Sequence, residues 1–426
     1  MDLLAKTKTL LSFETSAQRG TKDFGEVLKK AFPEYDWHST KEESGCALHY
    51  FETGSKESIT EEVDLFIYVN ADTNNASSLS LWKETDCDPL NITFKTDSVY
   101  GLGANHEKVS IIPVLNTIKK LENKGKIIFV AGYGREMNMI GAKRAISEIL
   151  DKRPVKNTLV LHPTESKLLK SSVGRTKIEV FFPFTDEEIR LKDDHDLREN
   201  IFSQSKIFNK KEESSLNEDV IFKALQSFSL LPIGTLLLDF SGGTGTITEA
   251  QSVYFEIDAA PSLEKSMISR LESFSKILNR VNKTLLDKFT PERPSKALHI
   301  GKAMTTTEGV FFYGYNLIPA GVSTSDLSSW FKMFSDEVEK QEGFVRVRDN
   351  KKPFNSKEID AKNEPGALQV TEATIFSRYY SNICIFGVGK EGLYQKPNEH
   401  VELSELRAAE ENFLEYLKSR IGHEVN

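Results

Sequence analysis

The stretch Val63-Asp64-Leu65-Phe66-Ile67-Tyr68-Val69, running on into Asn70-Ala71-Asp72-Thr73, decides how the first half of the chain is read. A run of β-branched, aromatic and leucine residues ending in short polar side chains describes a strand buried on both faces that opens at its C-terminal end into a loop. Lys126 to Val130 (KIIFV) and Thr158 to Leu161 (TLVL) have the same texture. Between these strands, Val109 to Leu121 (VSIIPVLNTIKKL) and Ile140 to Leu150 place apolar residues near helical spacing. Strands that alternate with helices predict an α/β layer around a largely buried sheet.

Beyond residue 170 the texture changes. Thr185 to Asn200 (TDEEIRLKDDHDLREN) is so highly charged that it reads as a solvated connection. The pattern then predicts a helix near Asn217 to Phe228, strands at Thr235 to Phe240 and Ser252 to Asp258, and a helix from Leu263 to Val281. Apolar segments follow at Ala297 to Ile300 and Val310 to Tyr315, then a helix from Ser325 to Lys340. This is an α+β layer, with helices on one face of an antiparallel sheet. Gly242-Gly243-Thr244-Gly245 lacks the Lys-Ser/Thr that completes a P-loop and lies between two strands, so it reads as a hairpin turn. Ile383 to Val388 (ICIFGV) returns to the buried-strand texture, and Leu403 to Ile421 is an amphipathic helix. The expected architecture is a discontinuous α/β domain, residues 1–170 and 348–426, interrupted by an α+β domain over 171–347.

Composition narrows the function classes. With 426 residues the chain has room for two domains, and 39% hydrophobic residues give each a core. A net charge of −8 offers no electrostatic reason to bind nucleic acid or an anionic membrane, and neither partner is expected. Three scattered cysteines, Cys46, Cys87 and Cys384, support neither a disulfide framework nor a thiolate zinc knot. With no basic-then-apolar leader at the N-terminus and no 18-residue apolar run, a cytoplasmic location is the expectation. No Gly-x-Ser-x-Gly element supports serine hydrolase chemistry.

Six landmarks in order give the chain a resemblance. They are Ile67-Tyr68-Val69-Asn70-Ala71-Asp72-Thr73, Trp82 with Asp88-Pro89, Tyr100-Gly101-Leu102-Gly103-Ala104-Asn105-His106-Glu107-Lys108, Gly134 to Lys143 (GREMNMIGAK), His162-Pro163-Thr164, and Tyr394-Gln395-Lys396-Pro397-Asn398-Glu399. Together they resemble the zinc-dependent amidohydrolases and exopeptidases that include acetylornithine deacetylase, succinyl-diaminopimelate desuccinylase and aminoacylase. The resemblance implies a zinc-exopeptidase-like catalytic domain with a mixed sheet between helices, an inserted α+β lid over 171–347, and a homodimer formed through that lid. It also implies two zinc ions and hydrolysis of amide bonds in N-acyl amino acids or small peptides.

The departures fall on the residues that do the chemistry. Where the family's motifs carry a ligand histidine two residues before the Asp, this chain has Asn70. The bridging Asp falls on His106, the general-base Glu on Arg135, a further acidic ligand on His162 and the late histidine on Tyr394; Glu136 alone keeps its type. Four carboxylates would balance two divalent ions, whereas the same positions here sum to zero. A guanidinium about 6 Å from a divalent ion adds about 5 kcal/mol of repulsion at an effective dielectric near 20. Arginine is also unable to accept the proton that a metal-bound water must lose.

Two functions follow from these substitutions. The first is a member of the family without two-zinc hydrolysis that binds a ligand or partner, its cleft offering Asn70, Asp72, Arg135 and Tyr394 to a small molecule or peptide with a carboxylate. In that reading no cofactor is bound and His106 and His162 are space-filling, hydrogen-bonded histidines. The second is an amide hydrolase with a rewired single zinc held by His106, Glu136 and His162. For Arg135 the alternatives are a salt bridge to Glu136 or Asp72 and a bidentate grip on a ligand carboxylate. For Asp72 they are a hydrogen bond to a strand-end amide and a part in binding. His195, in the charged run, lies near where the family's lid carries an oxyanion-stabilising histidine.

Overall fold

The computed structural model describes every residue except 1, 17–18, 55–61, 77–78, 122–124, 152, 197–203, 210–218, 244, 246–249, 261–262, 264, 290–293, 295, 357–365, 395 and 422–426. The chain divides into two compact units, one built from the described residues of Met1–Ser172 and those from Phe354 onward, the other from the described residues of Val173–Pro353.

The first unit is organised by a six-stranded mixed sheet. Its strands are β1 (His38–Ser39), β2 (His49–Glu52), β3 (Val63–Asn70), β4 (Ile127–Gly132), β5 (Val155–Leu161) and a last strand, Ile383–Phe386, in the order β1-β2-β4-β3-β5-last. β3 is parallel to both β4 and β5, and the last strand runs parallel to β5, as connections through helices require. Every residue of β4 is buried, and so is every residue of β3 except Asp64. That explains why both read as unbroken apolar runs rather than alternating ones. On one face Leu65, Ile67 and Val69 join the main core with helix α1 (Glu107–Lys120) and the C-terminal helix Leu403–Ile421. On the other, Phe66 and Tyr68 lie edge-on against Phe376, with centroids 5.1 and 5.2 Å away. The register sets Asn70 beside Gly132 and Val69 beside Leu161. The loops that follow β3, β4 and β5 therefore leave from one edge of the sheet, the carboxyl edge where open α/β sheets place their sites.

The second unit is a seven-stranded antiparallel sheet. In chain order its strands are β6 (Gly174–Pro183), β7 (Gln204–Asn209), β8 (Thr235–Gly242), β9 (Ser252–Ala259), β10 (Leu298–Thr305), β11 (Gly309–Ile318) and β12 (Phe344–Lys351). In space the order is β7-β9-β8-β10-β11-β6-β12. Helices α2 (Met267–Leu286) and α3 (Thr324–Glu339) belong to this unit. Phe274 of α2 packs its ring on Phe182 and Phe312, at 5.0 and 5.1 Å. The strands flanking Gly242–Gly245 pair antiparallel, as a hairpin requires, with Thr244 outside the described residues.

Two expectations need correction. Within the charged run 185–200, Asp186–Asp196 is a helix rather than a connection, and 197–200 lie outside the described residues. A reciprocal cap starts it: the Thr185 amide donates to Glu188 Oε2 at 2.8 Å and the Glu188 amide to Thr185 Oγ1 at 3.2 Å. Three acidic residues then occupy its first turn, where the helix dipole favours them. The boundary placed between residues 347 and 348 falls inside β12, which pairs along β6 as far as Lys351.

Candidate functional site

The carboxyl edge of the first unit's sheet gathers most of the singled-out residues around a single guanidinium. Asn70 and Asp72 close β3, Arg135 follows β4, His162 follows β5, and His106 with Glu107 begins α1. The chain returns later to supply Glu372, ahead of the short helix Ala373–Phe376, and Glu391 and Tyr394 from a turn. Local sequence shapes these loops. Gly141 crosses so close to Tyr133 that a Cβ would lie 2.2 Å from its carbonyl oxygen, and Gly103 has φ +90°. Buried Glu399 accepts from the amides of Gly103 at 2.6 Å and Asn105 at 3.3 Å, fixing the turn that delivers His106.

Arg135 is the hub, 5% exposed. Its Nε donates to Glu372 Oε1 at 2.8 Å and its Nη2 to Glu372 Oε2 at 2.6 Å, a two-pronged ion pair. Its Nη1 donates to Glu107 Oε1 and, at 2.8 Å, to the Tyr394 hydroxyl. Glu107, fully buried, stands between the two histidines: His162 Nδ1 is 2.6 Å from Oε1 and His106 Nδ1 is 2.9 Å from Oε2. The Tyr394 hydroxyl donates to Glu107 Oε2 at 3.1 Å, and its ring stacks on His106 with centroids 5.1 Å apart. His162 Nε2 lies 3.4 Å from Glu391 Oε1, and the pair is poorly aligned for a hydrogen bond.

The electrostatics follow from burial opposed by pairing. Burial alone would raise the Glu107 carboxyl, but Arg135 and the two histidines hold it well below the usual carboxylate range. Burial works against the charge on Arg135 as well, and Glu107 and Glu372 more than restore it. The His162 imidazole, which burial would lower, is raised by its bond to Glu107 and by the nearby Glu391 carboxylate. Tyr394 is pushed well above the ordinary phenol range by burial, so its hydroxyl keeps its proton. Asp72 accepts from the Gly134 amide at 2.7 Å, and burial lifts its carboxyl to about 6. The Asn70 amide donates to the Asp72 carbonyl at 3.2 Å, while its Oδ1 is buried without a partner.

This arrangement changes the expectations for several residues. Arg135 pairs with Glu372 and Glu107, and its Nε, Nη1 and Nη2 already donate to Glu372, Glu107 and Tyr394, which counts against a grip on a ligand carboxylate. Glu136 is half-buried, and the carboxylate between His106 and His162 is Glu107 instead. Among the described residues no group of three or more His, Cys, Asp or Glu side chains is arranged to hold a metal ion. His195 lies in the second unit, 3% exposed, with Nδ1 3.9 Å from Asp258 Oδ2. Glu107, Glu372 and Glu391 went unrecognised in the sequence. Glu107 directly follows a landmark position, so its place at the start of a helix was readable, whereas nothing local distinguishes Glu372.

No family model matches the sequence, and no curated protein sequence matches it. Solved structures do match. An aminoacylhistidine dipeptidase from Vibrio alginolyticus aligns over 98% of this chain and 96% of its own, with TM-score 0.55 and 12% identity. Human carnosine dipeptidase 1 aligns over 97% and 95%, with TM-score 0.54 and 11% identity. An M20 family metallo-carboxypeptidase from Sulfolobus solfataricus aligns over 98% and 99%, with TM-score 0.52 and 12% identity. At this identity the likeness is one of fold, and the chain has the fold of these dipeptidases and metallo-carboxypeptidases over nearly its whole length.

Proposed function

We propose that this chain is a non-hydrolytic relative of the zinc-dependent amidohydrolases and exopeptidases, in which an internal ion cluster centred on Arg135 stands in for the metal centre and the protein acts as a binding or interaction subunit. The observation that carries this reading is the buried guanidinium held between Glu372 and Glu107. The residues present do not fit two divalent ions. A cation placed among Glu107, His106 and His162 would face Arg135 Nη1, itself 3.4 Å from His162 Nδ1, and would compete for carboxylate oxygens already bonded to the guanidinium. A single fixed positive charge on a planar, five-donor group satisfies two carboxylates without the open coordination position that hydrolysis needs. The position of the general base carries a side chain that cannot take a proton. A single-zinc site at His106, Glu136 and His162 would require Glu136 to displace Glu107 from between the histidines.

Incubating the purified chain with a panel of dipeptides and N-acyl amino acids, with and without added zinc, tests this. No turnover above the uncatalysed rate is expected. Zinc-dependent hydrolysis that disappears in His162→Ala would overturn the proposal.

A further inference from the structure

The second unit carries a surface that has no part in the Arg135 cluster. Its strands β6, β10, β11 and β12 and helices α2 and α3 follow the chain order β-α-β-β-α-β, and the strands lie side by side as β10-β11-β6-β12. Phe182 and Phe312 point to the face that α2 covers through Phe274. The alternate residues point to the other face; on β11 these are aromatic, and β6 adds one ring beside them. Phe311, Tyr313 and Tyr315 follow one another along β11, each half-buried, and Phe181 of β6 stacks on Phe311 at 4.3 Å. The centroids of Phe311 and Tyr313 are 6.1 Å apart, close to the two-residue stride of a strand, about 7 Å.

Cations border these rings. Lys302 Nζ lies 5.7 Å from the Tyr313 ring, and the Arg175 guanidinium carbon 5.7 Å from that of Tyr315. At the β12 edge the side chains of Arg346 and Arg348 are 70% and 57% exposed and share one carboxylate, Glu179. Lys177 and Asp349, 3.9 Å apart, offset each other. On these four strands the face thus carries an excess of positive charge in a chain whose net charge is −8, while Asp239 and Glu256 stand on the same face of the neighbouring strands β8 and β9. Fields from distant carboxylates are screened over about 8 Å at physiological salt, so the local excess is what an approaching polyanion meets.

We propose that this face binds single-stranded nucleic acid. Unpaired bases have π-faces to set against aromatic side chains on a sheet, and their phosphates suit the flanking Lys and Arg. An acidic peptide would use the cations and leave the rings without a role, and a duplex hides its base faces. The overall acidity argued against such a partner, and the arrangement of the sheet residues argues for it. The inference stands whether or not the Arg135 reading holds, because the two sites share no residue.

Fluorescence anisotropy of the full-length chain with a labelled oligouridylate of about 12 nucleotides, in about 50 mM salt, tests it. Binding is expected, together with weaker binding to a duplex of equal length and to polyglutamate. Tyr313→Leu, shown to be folded by its thermal melt, should weaken binding about tenfold, and Tyr313→Phe should bind like the unsubstituted chain. Lys302→Gln should reduce the slope of log affinity against log salt by about 0.7. Lys276→Gln, on α2 and 73% exposed, should change nothing. Absence of binding, equal affinity for duplex or polyglutamate, unchanged affinity in Tyr313→Leu, or equal losses in Tyr313→Leu and Tyr313→Phe would each overturn the proposal.

Discussion

Arg135 and Glu372, 237 residues apart in sequence, meet in a buried two-pronged ion pair that fastens the late segment of the first unit to the carboxyl edge of its sheet. Removing one member of such a pair leaves an uncompensated charge where water does not reach, and costs about 3–5 kcal/mol. Glu372→Gln should therefore lower the stability measured by urea denaturation by that amount. The triple variant Arg135→Met, Glu107→Gln, Glu372→Gln leaves no buried charge at the hub and should recover most of the loss. If the single and triple variants were equally unstable, packing rather than charge pairing would be the stabilising factor.

Arg135→Glu reverses the sign of the hub. Three carboxylates, Glu107, Glu372 and the new side chain, would then converge beside His106 and His162 with no cation among them. The variant should be strongly destabilised in chelator, and zinc should raise its melting temperature by several degrees, since a ligand that binds only the folded state stabilises it. The unsubstituted chain should show no such response.

His49 gives a pH dependence away from this cluster. It is 1% exposed, with Nδ1 2.8 Å from Ser39 Oγ and Nε2 2.7 Å from the Thr21 carbonyl. Burial lowers its basicity below the ordinary imidazole value of 6.5. Below pH 6.5 the unfolded chain therefore takes up a proton that the folded chain resists, so this group's contribution to stability is present above pH 6.5 and is lost as pH falls through the folded value. His49→Gln should flatten that part of the stability profile; an unchanged acid slope would show that other groups set it.

Glu399 tests the support of the site rather than the site itself. Its carboxylate accepts from two amides of the Gly101–Asn105 turn and is 1% exposed. Glu399→Ala leaves those donors unsatisfied and should cost about 2–3 kcal/mol in the same urea measurement. A loss below about 0.5 kcal/mol would mean that the turn holds its shape without it.

Much of the fold was readable because it rests on side-chain pattern. VDLFIYV is β3, KIIFV lies on β4 and TLVL at the end of β5, and the C-terminal helix runs Leu403–Ile421 as its apolar spacing predicts. Asp186–Asp196 was hidden because its charges mask the helical period, although Thr185-x-x-Glu188 is a start signal written in the sequence. Strand β12 was missed because its edge position leaves it mostly exposed and without an apolar run. At the site the sequence pointed to Arg135, His106, His162 and Tyr394. It did not give their partners, because an ion pair such as Arg135–Glu372 depends on chain segments that only the fold brings together. Glu107 shows the same limit at closer range, since its neighbour His106 drew attention through the resemblance while Glu107 bonds to more of the cluster.

The central claim is that Arg135 and its carboxylates have replaced the metal centre rather than sitting beside one. Elemental analysis of the purified chain, equilibrated with excess zinc and then passed through gel filtration, measures this directly. The account predicts zinc well below one ion per chain, with no change on Arg135→Lys; one or two ions retained per chain, lost on His106→Ala or His162→Ala, would contradict it.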